Sequence, residues 1–315
     1  MQNISFIIPN YNAESIIGNA IESIQKQKYK GKIEIVVIDD KSTDNSLNII
    51  SKYKVKLIKN EKNLGLAKSL NEAIKAAKYD LIAIIWCDCI LENDSWLNKM
   101  IKIYNSNENV AAICSKLIIP KEYWNKFSFY DKIVLTKDYE VSLKNKRRKG
   151  RPSLFNKKLL LRIGLYDDKA FRISGEDTDM RCKLEDMGYK FITAPVNILH
   201  LHGFYNLSFK KQLFNKALPL AEASGVNFRR HGLKSFASKY WNPITSTILY
   251  FSLLTPHINL ISLVLILFLA IVYTIKVLKY SIDIRIIFVP TFKILKDMIT
   301  IFGFWKGFIT GKQEF

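Results

Sequence analysis

Apolar residues follow two alternating rhythms over the first ninety positions. Short, nearly continuous apolar runs cover residues 5–9, 32–38, 55–59 and 81–86. Between them, apolar residues recur at helical spacing. Ile16, Ile17, Ala20, Ile21 and Ile24 form one such stripe, and segments 46–53 and 66–77 carry others. The runs predict strands covered on both faces, and the stripes predict amphipathic helices. Their alternation predicts a mostly parallel, doubly wound α/β sheet. Ligands bind such sheets at the carboxyl ends of the strands. The polar clusters fall there: Asn10-Tyr11-Asn12 after the first run, Asp39-Asp40-Lys41-Ser42-Thr43-Asp44 after the second, Cys87-Asp88-Cys89 after the fourth. One acidic cluster alone reads as the cap of the next helix. Two at neighbouring strand ends point to a site. No Gly-x-Gly-x-x-Gly follows the first run, so the dinucleotide fingerprint is absent.

The C-terminal part has a different pattern. No Lys, Arg, Asp or Glu occurs from Tyr240 to Ile275. Within that window, 258–275 is interrupted only by Asn259, Ser262 and Thr274, which is just long enough for a transmembrane candidate. A second apolar run, 244–255, reaches only about 18 Å as a helix, against a hydrocarbon core of about 30 Å. Pro256-His257 separates the two and should break a helix. A hairpin over about 244–275 is expected, re-entrant or tilted; the alternative is a buried soluble hairpin. Arg229, Arg230, Lys234 and Lys239 precede it, and Lys276, Lys279 and Arg285 follow. The positive-inside rule then places both ends in the cytoplasm. Over about 284–312, Phe288, Phe292, Leu295, Ile299, Phe302, Trp305 and Ile309 recur at steps of three and four, edged by Lys293, Lys296 and Lys306. Such an amphipathic helix suits the headgroup plane of a membrane or a face of the protein itself. The pattern divides the chain into 1–228 and 229–315.

Charge adds a partner class. With 48 Lys+Arg against 28 Asp+Glu, the net charge is +20, which calls for an anionic partner. Six basic residues crowd Lys144 to Arg151, either as a solvated loop or as a patch for an anionic acceptor or headgroups. No aromatic interleaving or helix-turn-helix accompanies them, so no nucleic-acid partner is expected. The four cysteines form neither a disulfide framework nor a two-plus-two zinc spacing, which suggests a reducing compartment. The first residues lack a basic n-region and a long apolar h-region, so no cleavable signal peptide is expected.

The order of motifs over the first 205 or so residues resembles a family 2 glycosyltransferase of the GT-A fold. Ile7-Ile8-Pro9-Asn10-Tyr11-Asn12-Ala13-Glu14 resembles its opening strand and loop. Val36-Val37-Ile38-Asp39-Asp40-Lys41-Ser42-Thr43-Asp44 resembles its nucleotide-binding turn, and Asn63-Leu64-Gly65-Leu66-Ala67 with Asn71 its next loop. Asp88 with Ile90-Leu91 resembles the end of its Asp-x-Asp motif. Ile163-Gly164-Leu165-Tyr166-Asp167 leading into Gly175-Glu176-Asp177-Thr178-Asp179-Met180 resembles its acceptor-side and base motif. Each piece is weak alone; five in order are strong.

The resemblance implies a metal-dependent, hexosyltransferase-like enzyme that inverts anomeric configuration. Pro9, Tyr11, Glu14 and Asp40, with Asn63, Gly65 and Asp88, would bind the nucleotide of a UDP-, GDP- or dTDP-sugar. A carboxylate such as Asp40 can accept from a base N–H, and Tyr11 can stack on the base. Mn2+ or Mg2+ would suit the diphosphate, with Asp88 as the protein ligand. The earlier acid of the motif is replaced by Trp86. His200 and His202, two apart on an expected strand and so on one face, offer a second ligand; ordinary polar residues at a sheet edge are the alternative. Asp177 would be the general base and Glu176 would orient acceptor; both also suit a helix N-terminus. The acceptor would be lipid-linked or a glycan, and the site would be at the cytoplasmic face of the cell membrane. Two alternatives stand: a polyprenyl- or dolichyl-phosphate sugar synthase, in which a phosphate acceptor needs no base, and an inactive nucleotide-binding relative, which Trp86 motivates. The sequence does not give the oligomeric state.

Overall fold

The computed structural model describes residues 2–143, 151–201, 208–236 and 243–314. They divide into two compact units. The first comprises Met1–Tyr123 and Val141–Tyr205, and the second Trp124–Glu140 and Asn206–Phe315.

The first unit is built on one mixed, eight-stranded sheet. Its strands are β1 (Ile4–Asn10), β2 (Ile33–Asp39), β3 (Lys56–Lys59), β4 (Leu81–Ile84), β5 (Cys89–Leu91), β6 (Val110–Ile118), β7 (Arg151–Asn156) and β8 (Lys190–His200), in the spatial order β3-β2-β1-β4-β7-β6-β8-β5. The four apolar runs expected as strands are β1 to β4, and they pair in parallel. Helices α1 (Ile17–Gln25), α2 (Ser46–Ile50) and α3 (Leu66–Ala76) lie between them, as the stripes predict. Successive strand residues point to opposite faces. Phe6, Ile8 and Val37 therefore pack with Ile17, Ile21 and Ile24 of α1. Ile7, Val36 and Ile38 pack with Leu70, Ala73 and Ile74 of α3 on the other side. Each such Ile, Val, Leu or Phe side chain, fully buried, is worth about 1.5–3 kcal/mol.

The other half of the sheet departs from the parallel pattern. β7 runs antiparallel to both β4 and β6, and β5 antiparallel to β8. β4 and β5 are separated by residues 85–88 alone, yet stand four places apart in the strand order. In a flat sheet those places would span about 19 Å, at about 4.8 Å per strand. The link is a turn, closed by Cys89 N–H donating to the Trp86 carbonyl at 3.0 Å. The far half of the sheet must therefore curl back over the carboxyl end of β4. Helices α4 (Trp96–Asn105), α7 (Lys157–Arg162) and α8 (Glu176–Asp186) complete this part of the chain; α5 (Lys121–Lys126) spans the division at Tyr123, and most of α6 (Phe129–Leu143) belongs to the second unit.

The second unit is helical. A short turn of helix, α9 (Phe209–Lys211), runs through a π-helical stretch, Gln212–Ala217, into α10 (Leu218–His231). Then come α11 (Pro243–Phe251), α12 (Asn259–Leu278) and α13 (Val289–Thr310). The helix is interrupted between Leu254 and Asn259, where Pro256 predicts a break. At 20 residues and mean hydropathy 2.6, α12 is the one helix among the described residues long and apolar enough to cross a membrane. It extends past Ile275, to a length of about 30 Å.

The tail helix has more than the one apolar face expected. Val289, Phe292, Gly303, Phe304 and Gly307 are buried, whereas Phe288, Leu295, Met298, Phe302 and Ile309 are exposed. The stripe read from the sequence thus contains members of both faces. The inward face packs on α10 through glycines. A Cβ at Gly225 would stand 1.9 Å from the Phe304 carbonyl oxygen, and one at Gly307 would stand 2.0 Å from that of Glu222. Beside this contact Lys306 pairs with the fully buried Glu222 at 2.7 Å.

Gly307→Ala should therefore overpack the α10–α13 contact and destabilise the second unit by about 1–3 kcal/mol. Thermal unfolding of the detergent-solubilised protein checks this; an unchanged melting temperature would mean the helices tolerate separation there.

Candidate active site

Two adjacent carboxylates organise the carboxyl edge of the parallel strands. Asp39 ends β2 and Asp40 follows it; both are buried. Asp39 accepts from the Asn10 side-chain amide at 2.7 Å, the Ser42 backbone N–H at 3.0 Å and the Ser42 hydroxyl at 2.5 Å. Asp40 accepts from the Asn60 amide at 2.8 Å and from the backbone N–H groups of Leu64 and Gly65 at 2.7 and 2.9 Å. A carboxylate offers about four acceptor positions, so Asp40 already spends most of its capacity on the 60–65 loop.

The first and second loops are laced together. The Asn12 side chain accepts from Thr43 N–H at 2.8 Å, and Ser42 Oγ accepts from Asn12 N–H at 2.9 Å. Glu14 N–H donates to Asp44 Oδ2 at 2.9 Å, while Glu14 Oε2 accepts from Asn45 N–H at 2.8 Å. Burial opposes ionisation of Asp44, but hydrogen bonds from Ser46 and the Glu14 backbone outweigh it and hold its carboxyl below the usual range. Asn12 and Lys41 adopt left-handed backbone, at φ 50° and 67°. Pro9 is buried in β1, whereas the Tyr11 ring is 52% exposed and free to meet a ligand.

Gly65 sits where only glycine fits. Its φ is +84°, and a Cβ there would meet the Arg172 carbonyl oxygen at 2.8 Å. That carbonyl accepts from Leu66 N–H at 2.6 Å at the start of α3. The Arg172 guanidinium donates to Asn63 Oδ1 at 3.2 Å, and Asn63 Nδ2 donates to the Asp40 carbonyl at 3.3 Å. Arg172 was not foreseen from the sequence. Its one signal is a basic residue three positions before the Gly-Glu-Asp motif.

Asp88 occupies the turn between β4 and β5. The antiparallel register pairs Cys89 with His200, and this brings His200 Nε2 to 3.0 Å from Asp88 Oδ2. Cys89 Sγ donates to Asp88 Oδ1 at 3.7 Å, and one donor atom from each of Asp88, Cys89 and His200 lies within 4.8 Å of the others. A carboxylate and an imidazole fit Mn2+, and fit Mg2+ less well; a thiol suits neither. Trp86, in place of an earlier acid, packs against apolar residues of both sheet faces. His202 lies outside the described residues, as does the basic run 144–150.

Glu176 and Asp177 open α8, after Gly175 in the left-handed region at φ 90°. Glu176 is buried, Asp177 is half-buried, and the buried Asp179 pairs with Lys183 at 2.6 Å. Three acids in the first turn complement the positive end of the helix dipole. Burial raises the Cys114 thiol on β6 to about 11; the Arg181 charge opposes this, and Asp177 and Glu185 add to it.

Residues 5–166 match the model of glycosyl transferase family 2. A poly-β-1,6-N-acetyl-D-glucosamine synthase of Staphylococcus epidermidis is 31% identical over 117 residues, covering 36% of this chain and 28% of that protein, so the chain spans little more than a quarter of that relative. A dolichyl N-acetyl-α-D-glucosaminyl phosphate 3-β-D-2,3-diacetamido-2,3-dideoxy-β-D-glucuronosyltransferase of Methanococcus voltae is 25% identical over 355 aligned positions, covering 100% of both. A mannosyltransferase from Pyrobaculum calidifontis, solved with GDP-Man and Mn2+, superposes with a TM-score of 0.60 at 19% identity, covering 94% of this chain and 86% of that one. Glucosyl-3-phosphoglycerate synthase from Mycobacterium tuberculosis, solved with Mg2+ and UDP, gives a TM-score of 0.51 at 16% identity, covering 73% and 80%. With the sheet, the helices and a family match over half its length in agreement, the chain has the GT-A fold and belongs to glycosyl transferase family 2.

Proposed function

We propose that the chain is a divalent-cation-dependent, inverting hexosyltransferase. It would move a sugar from a nucleotide donor to a hydroxyl on a lipid-linked or glycan acceptor at the cytoplasmic face of the cell membrane. The observation that carries the reading is the Asp88–His200 pair, 3.0 Å apart at the carboxyl edge of the parallel strands. In this reading Asp88 and His200 hold Mn2+ or Mg2+, with donor oxygens completing the shell. The bound cation would neutralise charge on the departing diphosphate.

The donor's nucleoside would lie on the loops that Asp39 and Asp40 hold. Tyr11 offers a ring for the base to stack on, and Pro9, Glu14, Asn63 and Gly65 shape the surface around it. Asp40 has little acceptor capacity left, so its main contribution is to present the 63–65 backbone. Arg172 adds a cation beside the same loop. Asp177 is the base: the acceptor oxygen bonds to the anomeric carbon, the bond from that carbon to the diphosphate breaks, and the hydroxyl proton passes to the Asp177 carboxylate. Glu176, buried beside it, orients acceptor. Catalysis belongs to 1–228 and membrane attachment to 229–315, through α12 and the exposed apolar face of α13.

The Methanococcus relative, matched over the whole of both chains, supports an acceptor that is a sugar on a lipid phosphate, because the activity it is named for is of that kind. A polyprenyl-phosphate sugar synthase is the second reading, in which the acceptor is the phosphate itself.

The donor class can be read by thermal shift of the detergent-purified protein with UDP-, GDP- and dTDP-sugars, each with Mn2+, Mg2+ or EDTA. A ligand at 100 times its Kd stabilises by about 2.7 kcal/mol. One nucleotide should give a cation-dependent shift that Asp88→Ala abolishes and His200→Ala reduces. No shift with any donor would favour the inactive relative. Asp177→Asn should keep that shift while losing at least about 100-fold in transfer, the usual contribution of a general base. Retention of most transfer would point to a phosphate acceptor instead.

A further inference from the structure

The turn that carries Asp88 leads directly into a thiol. The register of β5 against β8 sets Cys89 opposite His200. Residues directly opposite in an antiparallel pair share one face, with Cβ atoms about 4.5–5.5 Å apart. The pairing continues by one residue, where Leu201 N–H donates to the Asp88 carbonyl at 2.8 Å. Backbone hydrogen bonds thus hold both strands beside the Asp88 carboxylate, and each of its oxygens meets a different group. Cys89 Sγ lies 3.7 Å from Oδ1, and His200 Nε2 lies 3.0 Å from Oδ2. Among the described residues, Asp88, Cys89 and His200 are the one group of three whose ligand atoms all lie within 4.8 Å of one another.

That spacing suits a four-coordinate cation. Zinc binds thiolate sulfur at about 2.3 Å, and imidazole nitrogen or carboxylate oxygen at about 2.0–2.2 Å, so its donors stand roughly 3.3–3.6 Å apart. The separations of 3.0 and 3.7 Å bracket that range. Three protein ligands leave the fourth position open, as in catalytic zinc sites.

The donor types narrow the cation further. Carboxylate oxygen suits Mg2+ and Mn2+, imidazole suits zinc and the later transition metals, and thiolate suits zinc and softer ions. Zn2+ is the ion that accepts all three donors. A buried thiol among apolar side chains is inert. Cys89 is only 1% exposed, but its sulfur is set against the carboxylate and imidazole that would hold the cation.

We propose that Cys89 is a third ligand of the cation held by Asp88 and His200, and that the site therefore prefers Zn2+ to Mn2+ and Mg2+. The thiol proton passes to solvent as the sulfur binds. Mn2+ and Mg2+ still occupy the site, more weakly, so Zn2+ would displace them. This rests on the reading of Asp88 and His200 as the cation site, and it changes the ion that they favour.

Co2+ is the probe, because it takes the geometry of zinc and a thiolate bound to it gives a charge-transfer band in the near ultraviolet. The full-length protein in detergent is stripped with EDTA and titrated with Co2+. The wild type should develop the band in a one-to-one ratio. Zn2+ should then bleach it, and about a hundredfold excess of Mg2+ should leave it in place. Cys89→Ser should lose the band and bind Zn2+ at least about tenfold more weakly, with a smaller change for Mn2+ followed by its paramagnetic resonance. Cys87→Ser, whose thiol is outside the group, should keep the band. Absence of the band in the wild type overturns the proposal whatever the variants do. A band that survives in Cys89→Ser overturns it as well, as does one that Mg2+ bleaches as readily as Zn2+. The nucleotide-sugar shift with Mn2+ is measured on the same wild-type sample. A donor shift without the band defeats this inference alone. The band without a shift for any donor upholds the ligand set and defeats the transferase reading.

Discussion

Two buried carboxylates side by side at the end of β2 are the constraint on which the nucleotide edge depends. A carboxylate withdrawn from water is tolerable only when hydrogen bonds replace the lost hydration. Asp39 and Asp40 each take three, and adjacent residues of a strand face opposite ways. Asp39 therefore ties the first loop to the second through Asn10 and Ser42, while Asp40 gathers the third through Asn60, Leu64 and Gly65. Three loops from three parallel strands are fixed by two adjacent side chains. Such an edge is rigid before a ligand arrives, which lowers the ordering cost of binding. It also explains the left-handed backbone at Lys41, since the turn must double back at once for Ser42 to reach Asp39.

The second centre arises from sheet topology. Asp88 and His200 are 112 residues apart, and no local pattern joins them. They meet because β5 leaves β4 through a four-residue turn and pairs at once with the end of β8. That same turn carries Trp86, whose ring is wedged between the apolar layers of the two sheet faces. A carboxylate at that position would be set among apolar side chains. The tryptophan therefore reads as a packing solution, one that leaves Asp88 as the acid of the turn and makes the histidine matter more.

How much of this was legible from sequence follows from the range of the forces. The parallel strands and their helices declare themselves through apolar periodicity, because β1, β2 and β4 are covered on both faces and must be largely apolar, while β3 at the sheet edge keeps only Leu57 and Ile58 between two exposed lysines. The acidic clusters at the strand ends were equally visible. The antiparallel half was not, because β7 and β8 are placed by pairings far along the chain. Asp40 illustrates the finer limit. Its type and position suggested a contact to the base, but its hydrogen bonds run to its own chain's 60–65 loop, and only coordinates show that. Arg172 was missed for a related reason: its backbone carbonyl does the work at Leu66, and a carbonyl leaves no trace in residue identity. The tail helix failed differently. A seven-residue count of apolar positions cannot separate a face that packs on α10 from one that faces outward, and the glycines that decide it, Gly303 and Gly307, carry no hydropathy signal.

That two-faced tail bears on how a basic chain of this kind is arranged. Most of its lysines are surface charges whose field is screened within about 10 Å in ordinary salt. Such charges bring a protein to an anionic surface without choosing a ligand there. Lys296 is of another kind, because burial and the neighbouring lysines push its ammonium below the ordinary pKa while Asp297 opposes them. Its neighbours show how the helix manages the same problem elsewhere: Lys306 is neutralised by buried Glu222, and Lys293 by Asp297. Among these three lysines of α13, Lys296 is the one whose charge the fold does not match with a carboxylate of its own. The acids come from two packed helices, Asp297 from α13 itself and Glu222 from α10, so the pairing of Lys306 depends on the same close α10–α13 contact that the glycines permit.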